Sequence, residues 1–166
     1  MPTIERARHY SEAELTGLAG HSQVGVISIT EPDRFVKDLD ETKWPFVLRL
    51  YFHDLDKPWQ NYVLFSEDQA DEILDWLKEH EDEMTGVYTH CAAGISRSAG
   101  VTKFIADLYG LFFDEKRGGC YNKHVYRTLL DRALARGIIT AEEMFKRIRG
   151  MEAEEVRELG EVKFTW

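Results

Sequence analysis

Cysteine is scarce in this chain. Only Cys91 and Cys120 are present, and two thiols build neither a disulfide framework nor a metal-ligand cluster. Histidines and carboxylates do not gather at ligand spacings, so no metal and no other cofactor is expected. Long apolar runs are missing too. None approaches the ~20 residues that a membrane-spanning helix needs. The start, Met-Pro-Thr-Ile-Glu-Arg-Ala-Arg, has no apolar stretch of the kind a secretory leader carries. Positive charge is in deficit: 21 Lys and Arg face 30 Asp and Glu, a net charge of −9. Chains that hold nucleic acid or an anionic membrane gather Lys and Arg, so neither is an expected partner. Repeats, low-complexity tracts and linkers are absent. What remains is 166 residues, 43% hydrophobic and 31% charged, enough for one globular domain over 1–166, with 151–166 as a tail of undetermined role. A reducing, cytoplasmic setting suits its free thiols.

Strand and helix patterns alternate along the chain. Residues 1–10 read as an irregular arm or an early strand. Ser11-Glu12-Ala13-Glu14 has capping-box spacing and opens a short helix ending near Gly17 or Gly20. Residues 23–29 are β-branched and bounded by turn formers, a strand, followed by a short helical turn through Leu39. Residues 46–52 are nearly all apolar, which predicts a strand buried on both faces. A loop rich in Asp, Pro and Asn covers 53–65. Ser66 to Gln69 is a second capping box, and Ala70, Ile73, Leu74 and Leu77 mark an amphipathic helix over 67–80. Later, Val101, Phe104, Ile105 and Leu108 repeat with helical spacing. Residues 114–119 read as loop. Asn122 caps a helix of about 13 residues that Gly137 stops. Thr140 opens another, with Ala141, Met144, Phe145 and Ile148 inward and a charged tail from Gly150. The order predicts an α/β sandwich with a helical C-terminal half.

The chemistry concentrates in His90-Cys91-Ala92-Ala93-Gly94-Ile95-Ser96-Arg97-Ser98. An apolar run, Val87-Tyr88-Thr89, leads in, and a helical pattern over 98–109 leads out. A cysteine thus ends a strand and an arginine begins a helix. The turn between them can curl its N–H groups inward as an anion nest, reinforced by the positive end of the helix. That field also favours a thiolate, and Arg97 adds a planar fork suited to two oxygens of one phosphate. A nucleophile and an oxyanion cradle in one loop form a phosphate-transfer site. The plainer alternative is a buried structural cysteine beside a turn. His90, adjacent to Cys91, points to the opposite face of the strand, so its role is to order the loop by hydrogen bonds.

His-Cys-x-x-Gly-x-x-Arg-Ser resembles the signature loop of the protein tyrosine phosphatase superfamily, and its Ala-Ala-Gly-Ile-Ser filling resembles the compact dual-specificity branch. The resemblance implies a small mixed, largely parallel sheet flanked by helices. It implies metal-independent phosphomonoester hydrolysis through a phosphocysteine on Cys91. Arg97 and the backbone N–H groups of Ala92, Ala93, Gly94, Ile95, Ser96 and Arg97 would bind the phosphate, and Ser98 would hydrogen-bond the sulfur. The general acid of that branch sits in a loop a few residues past a strand neighbouring the central one. Asp54 matches that position, with Asp56 as the alternative and His53 a weaker candidate. The implied substrates are phosphorylated proteins, on tyrosine and on serine or threonine. The alternatives are a small-molecule, nucleotide or RNA 5′-phosphate, and a catalytically silent phosphate-binding module. Inorganic phosphate or sulfate would fit the same loop. No lysine stands at Ala92, Ala93 or Ile95, unlike many phosphoinositide phosphatases of similar sequence. Tyr51, Trp59, Tyr62 and Tyr121 are read as core aromatics without a substrate role, with lining a pocket as the alternative, and Cys120 as a plain loop cysteine with a redox role towards Cys91 as the alternative.

Overall fold

The computed structural model describes residues 4–36 and 39–162. Its elements run β1 (Arg6–Ser11), α1 (Glu12–Thr16), β2 (Val24–Thr30), β3 (Phe46–Tyr51), α2 (Glu67–His80), β4 (Gly86–Cys91), α3 (Arg97–Tyr109), α4 (Glu115–Gly118), α5 (Lys123–Ala135) and α6 (Ala141–Val162). The four strands form one sheet in the order β1-β4-β2-β3, and every pairing is parallel. β2 lies inside it, and each of its residues is buried. Side chains alternate between the two faces of a strand, so the register assigns them. Val24, Val26, Tyr88, Tyr10 and Val47 fall on one face, where they meet Leu15 of α1 and Trp44 in an apolar cluster. Gly25, Ile27, Val87 and Cys91 fall on the other. α3 packs against β1 and β4.

The sequence pattern and the structure differ in several places. Of the two readings for the first ten residues, the early strand is what Arg6–Ser11 form, because β4 offers its edge as a parallel template. The sheet among the described residues is wholly parallel, not mixed. β3 is an edge strand, mostly half-buried; its apolar run serves one packed face and a pairing edge, not two buried faces. It also does not neighbour β4, since β2 lies between them. Residues 31–36 form no helix. The stretch after Asp114 forms the short α4, because the Asp114 side chain accepts from the N–H groups of Lys116 and Arg117.

Two compact units follow one another, Met1–Leu129 and Leu130–Trp166. In the second, Gly137 takes a φ of 70° after α5, and Thr140 and Glu143 cap each other's backbone to open α6. α6 does not stop at Gly150. It continues to Val162, since one helical glycine costs only about 1 kcal/mol and the following residues are good helix formers. Ala141 and Phe145, expected inward, are exposed, and Met151 is buried. Val162 to Trp166, for which the sequence leaves an edge strand, packing on the body and contact with a partner as alternatives, fall almost wholly outside the described residues. No helix among the described residues is long and apolar enough to cross a membrane.

One side-chain pair ties β2 to β4. Ser28 stands opposite His90, and its Oγ lies 2.6 Å from His90 Nε2. Both are buried. Burial, aided by the charge on Arg49, pushes the His90 imidazole down to about 4. The unfolded chain titrates this ring near ~6.5, so it alone binds the extra proton between those values. The stability this group contributes is therefore complete above ~pH 6.5 and is lost as the pH falls towards 4, a span of about 3 kcal/mol. Urea denaturation of wild type and His90→Asn should show the stability difference between them shrinking by about that amount from pH 7 to pH 4. A difference that does not change with pH counts against a buried neutral imidazole.

Candidate active site

The loop from Cys91 to Arg97 joins the end of β4 to the start of α3. Three of its carbonyls are tied to groups outside it. Ala92 O accepts from Glu12 N at 3.4 Å, and Ser96 O from Asn122 N at 3.0 Å. Gly94 O lies 2.6 Å from His9 Nδ1. Across a planar trans peptide, the C=O of one residue and the N–H of the next point in opposite directions, and no peptide bond here is cis. The N–H groups of Ala93, Ile95 and Arg97 therefore turn away from these partners. Gly94 makes the curl possible, with φ at 74°. A Cβ there would stand 2.2 Å from Ser11 N and 2.4 Å from Tyr10 C, so the loop rests directly on the backbone of β1.

Cys91 is 2% exposed. Its Sγ lies 3.1 Å from Ser98 Oγ and accepts from Gly94 N at 3.3 Å. A thiolate here would accept both bonds, because a hydroxyl and an amide can donate and a thiolate cannot. His90 sits on the opposite face and bonds Ser28. With its pKa held low by burial it carries no charge near pH 7, so it orders the strand end and adds no positive field.

Arg97 is buried and spans the sheet's C-terminal edge. Its Nη1 donates to Phe52 O at 2.9 Å, just past β3. Its Nη2 donates to Glu31 at 2.7 Å, just past β2. Burial alone would raise the Glu31 carboxyl. The Glu31 N–H, the Arg97 hydrogen bond and the charges on Arg97 and Arg34 outweigh it and hold that carboxyl below its ordinary range. Arg97 thus stays fixed at the loop with N–H groups to spare.

The loop after β3 closes on itself. His53 N donates to Val63 O at 2.7 Å, and Val63 N donates to His53 Nδ1 at 2.9 Å. His53 is thereby a structural latch, its ring edge-on to Tyr62. Asp54 follows at the neck. Its Oδ1 accepts from Ser96 Oγ at 2.7 Å and from Asn122 Nδ2 at 2.9 Å. Asp56 is exposed, with no such bond to the signature loop. Asn122 is buried and, besides the helix bond its carbonyl accepts from Tyr126 N, bonds four other groups. It also donates to Leu55 O, accepts from Val125 N as the cap of α5, and gives its own N–H to Ser96 O. A Cβ on Gly100 would stand 2.8 Å from Asn122 O, so α3 and this residue meet at backbone distance.

Cys91, Ser98, Gly94, Ser96, Arg97 and Asp54 thus converge, although Asp54 comes from beyond an edge strand. Sequence patterns passed over His9, Glu31 and Asn122 as parts of the site. His9 lies within β1, Glu31 just after β2 and Asn122 just before α5, where a lone polar residue gives no periodic signal. Asn122 was visible only as a helix cap. Cys120 is exposed, Cys91 buried, and both are free. Tyr121 is buried, whereas Tyr51, Trp59 and Tyr62 are exposed rather than core.

No protein-family profile matches the chain, and no curated protein does. Solved structures do. A human tyrosine phosphatase-like serine/threonine/tyrosine-interacting protein is 19% identical over 76% of this chain and 86% of its own, with a TM-score of 0.52. Tk-PTP in its active form is 18% identical over 91% and 92%, with a TM-score of 0.38. The PTP-2 phosphatase of Cydia pomonella is 16% identical over 90% of each chain, with a TM-score of 0.41. The parallel sheet, its flanking helices and the first of these likenesses together give the chain the fold of the compact protein tyrosine phosphatases.

Proposed function

We propose that this protein is a metal-independent phosphomonoester hydrolase of the tyrosine or dual-specificity type, acting through a phosphocysteine on Cys91. The observation that carries the proposal is the sulfur of Cys91 bonded to Ser98 Oγ and Gly94 N, within a loop whose outward-tied carbonyls leave N–H groups facing inward. In the first step the Cys91 thiolate attacks phosphorus. A P–S bond forms, the P–O bond breaks, and a protonated Asp54 gives its proton to the departing oxygen. Arg97 and the loop N–H groups hold the three remaining oxygens. In the second step Asp54 takes a proton from water, the water oxygen bonds to phosphorus, and the P–S bond breaks. The hydroxyl of Ser98 donates to the returning thiolate and makes it a better leaving group. Inorganic phosphate or sulfate fits the same cradle as a competitive ligand. A thiolate nucleophile works only where it stays reduced, which favours the cytoplasm.

A silent phosphate-binding module is the second reading, prompted by the solved neighbour named as a phosphatase-like interacting protein. Hydrolysis of p-nitrophenyl phosphate with EDTA present separates the two. The wild type should turn over and Cys91→Ser should not, while circular dichroism of the two stays the same. Turnover by both proteins excludes the phosphocysteine, and turnover by neither favours the binding module.

Asp54→Asn should slow turnover about 100- to 10,000-fold with alkyl phosphates, whose leaving oxygen needs a proton. The loss should be much smaller with activated aryl phosphates. If Asp56→Asn gives that pattern instead, the acid is Asp56. Asn122→Asp keeps the helix cap but removes the amide donors to Asp54 and Leu55. It should cost roughly ten- to a hundredfold in kcat, since misplacing a reacting group by ~1 Å is that expensive. It should also lower the melting temperature, because a buried carboxylate then faces the Asp54 carboxylate and the Leu55 carbonyl. Unchanged kcat in this variant removes Asn122 from any positioning role.

A further inference from the structure

Among the described residues β1 pairs with β4 only, and none of them forms a strand on its outer edge. A cleft of about 440 Å³ runs along that edge, within the ~300–1,000 Å³ of ligand-binding clefts. Residues from both faces of β1 line it: Ala7 and His9 from one, Arg6, Arg8 and Tyr10 from the other. Only a cleft lying along the strand edge meets both. The opposite wall holds Phe112 and Phe113, and Phe112 is 84% exposed.

The charged residues lining this cleft are Arg6, Arg8 and Arg117 beside Glu5 and Asp114. Glu5 falls on the Ala7 face of β1, opposite Arg6 and Arg8, and Asp114 is engaged as the cap of α4. Arg34, Arg49, Arg97 and Arg117 each pair with a glutamate. Arg6 and Arg8 have no carboxylate partner among the described residues; Arg6 reaches only His21 and the face of Tyr88, and Arg8 only Tyr10. Arg6 and Arg8 lie two residues apart on one face of β1, and among the described residues they are the cleft's cations without a carboxylate partner, since Arg117 pairs with Glu14. They fit carboxylates at alternate positions of a facing strand.

We propose that this cleft docks an extended peptide by strand addition to β1, with acidic residues alternating with apolar ones. The backbone of the peptide pairs with the free N–H and C=O groups of β1. Its acidic side chains face Arg6 and Arg8, and its apolar side chains, pointing the other way, cover Phe112 and Phe113. A second copy of this chain fits poorly. Antiparallel pairing of two β1 edges about Ala7 sets Arg6 of one copy against Arg8 of the other, a like-charge cross-strand pair.

The test uses the full chain and a fluorescein-labelled capped peptide, Glu-Val-Glu-Val-Glu, read by anisotropy at low salt. Its Lys-Val-Lys-Val-Lys counterpart and an N-methylated Glu-Val-Glu-Val-Glu are the controls. The acidic peptide should bind, and neither control should. The double variant Arg6→Glu/Arg8→Glu should bind the acidic peptide at least about tenfold more weakly and gain binding to the lysine peptide. That exchange of preference also shows the variant to be folded. Phe112→Ala should weaken the acidic peptide alone. Equal binding of the N-methylated peptide, or a charge reversal without exchanged preference, overturns the proposal. So does a dimer in sedimentation that the peptide does not displace.

Discussion

The signature loop keeps its shape because its carbonyls are pulled outward. Glu12 N, His9 Nδ1 and Asn122 N hold the oxygens of Ala92, Gly94 and Ser96 respectively. A planar peptide that commits its carbonyl in one direction commits the next N–H in the other. The inward ring of donors is therefore set by three distant anchors from β1, α1 and the start of α5. Gly94 is the one residue that accepts both the positive φ and the contact with the β1 backbone. Remove an anchor and the corresponding donor is free to rotate, so a site only a few residues long depends on contacts from far along the chain.

The same anchoring is what the proposed anion cradle would rest on in an acidic protein. The loop N–H groups and the first turn of α3 point at one volume, and Arg97 lies beside it, neutralised in part by Glu31. His90 is uncharged because burial makes the imidazolium costly. Its hydrogen bond to Ser28 instead joins the two inner strands directly beneath the cysteine. Net charge describes how the whole molecule meets its surroundings, whereas the cradle depends on where a few oriented groups aim.

Asp54 shows how an edge element reaches a central site. β3 is separated from β4 by β2, yet the chain beyond it curls back under its own latch, His53 to Val63. Two bonds from Ser96 and Asn122 then tie the aspartate to the signature loop. Arg97 strengthens the link by donating to Phe52 O at the start of that segment. The Asp54 loop and the Cys91 loop thus form one hydrogen-bonded unit.

Local chemistry in the sequence determined a good deal of this protein. Capping boxes at Ser11 and Ser66 located α1 and α2, because a cap is satisfied within four residues. The β-branched run before Thr30 marked a strand, and the spacing of Cys91, Gly94, Arg97 and Ser98 marked the loop. Tertiary structure decided what periodicity does not encode. Strand order placed β3 at the edge, since an apolar run reads alike in a central strand and in an edge strand packed on one face. Pairing with β4 made a strand of residues 6–11. Single polar residues, His9, Glu31 and Asn122, became structural parts of the site only through partners 66 to 85 positions away or across separate elements. No local pattern announces such contacts, because chain reversal and sheet order bring those residues together and local spacing does not.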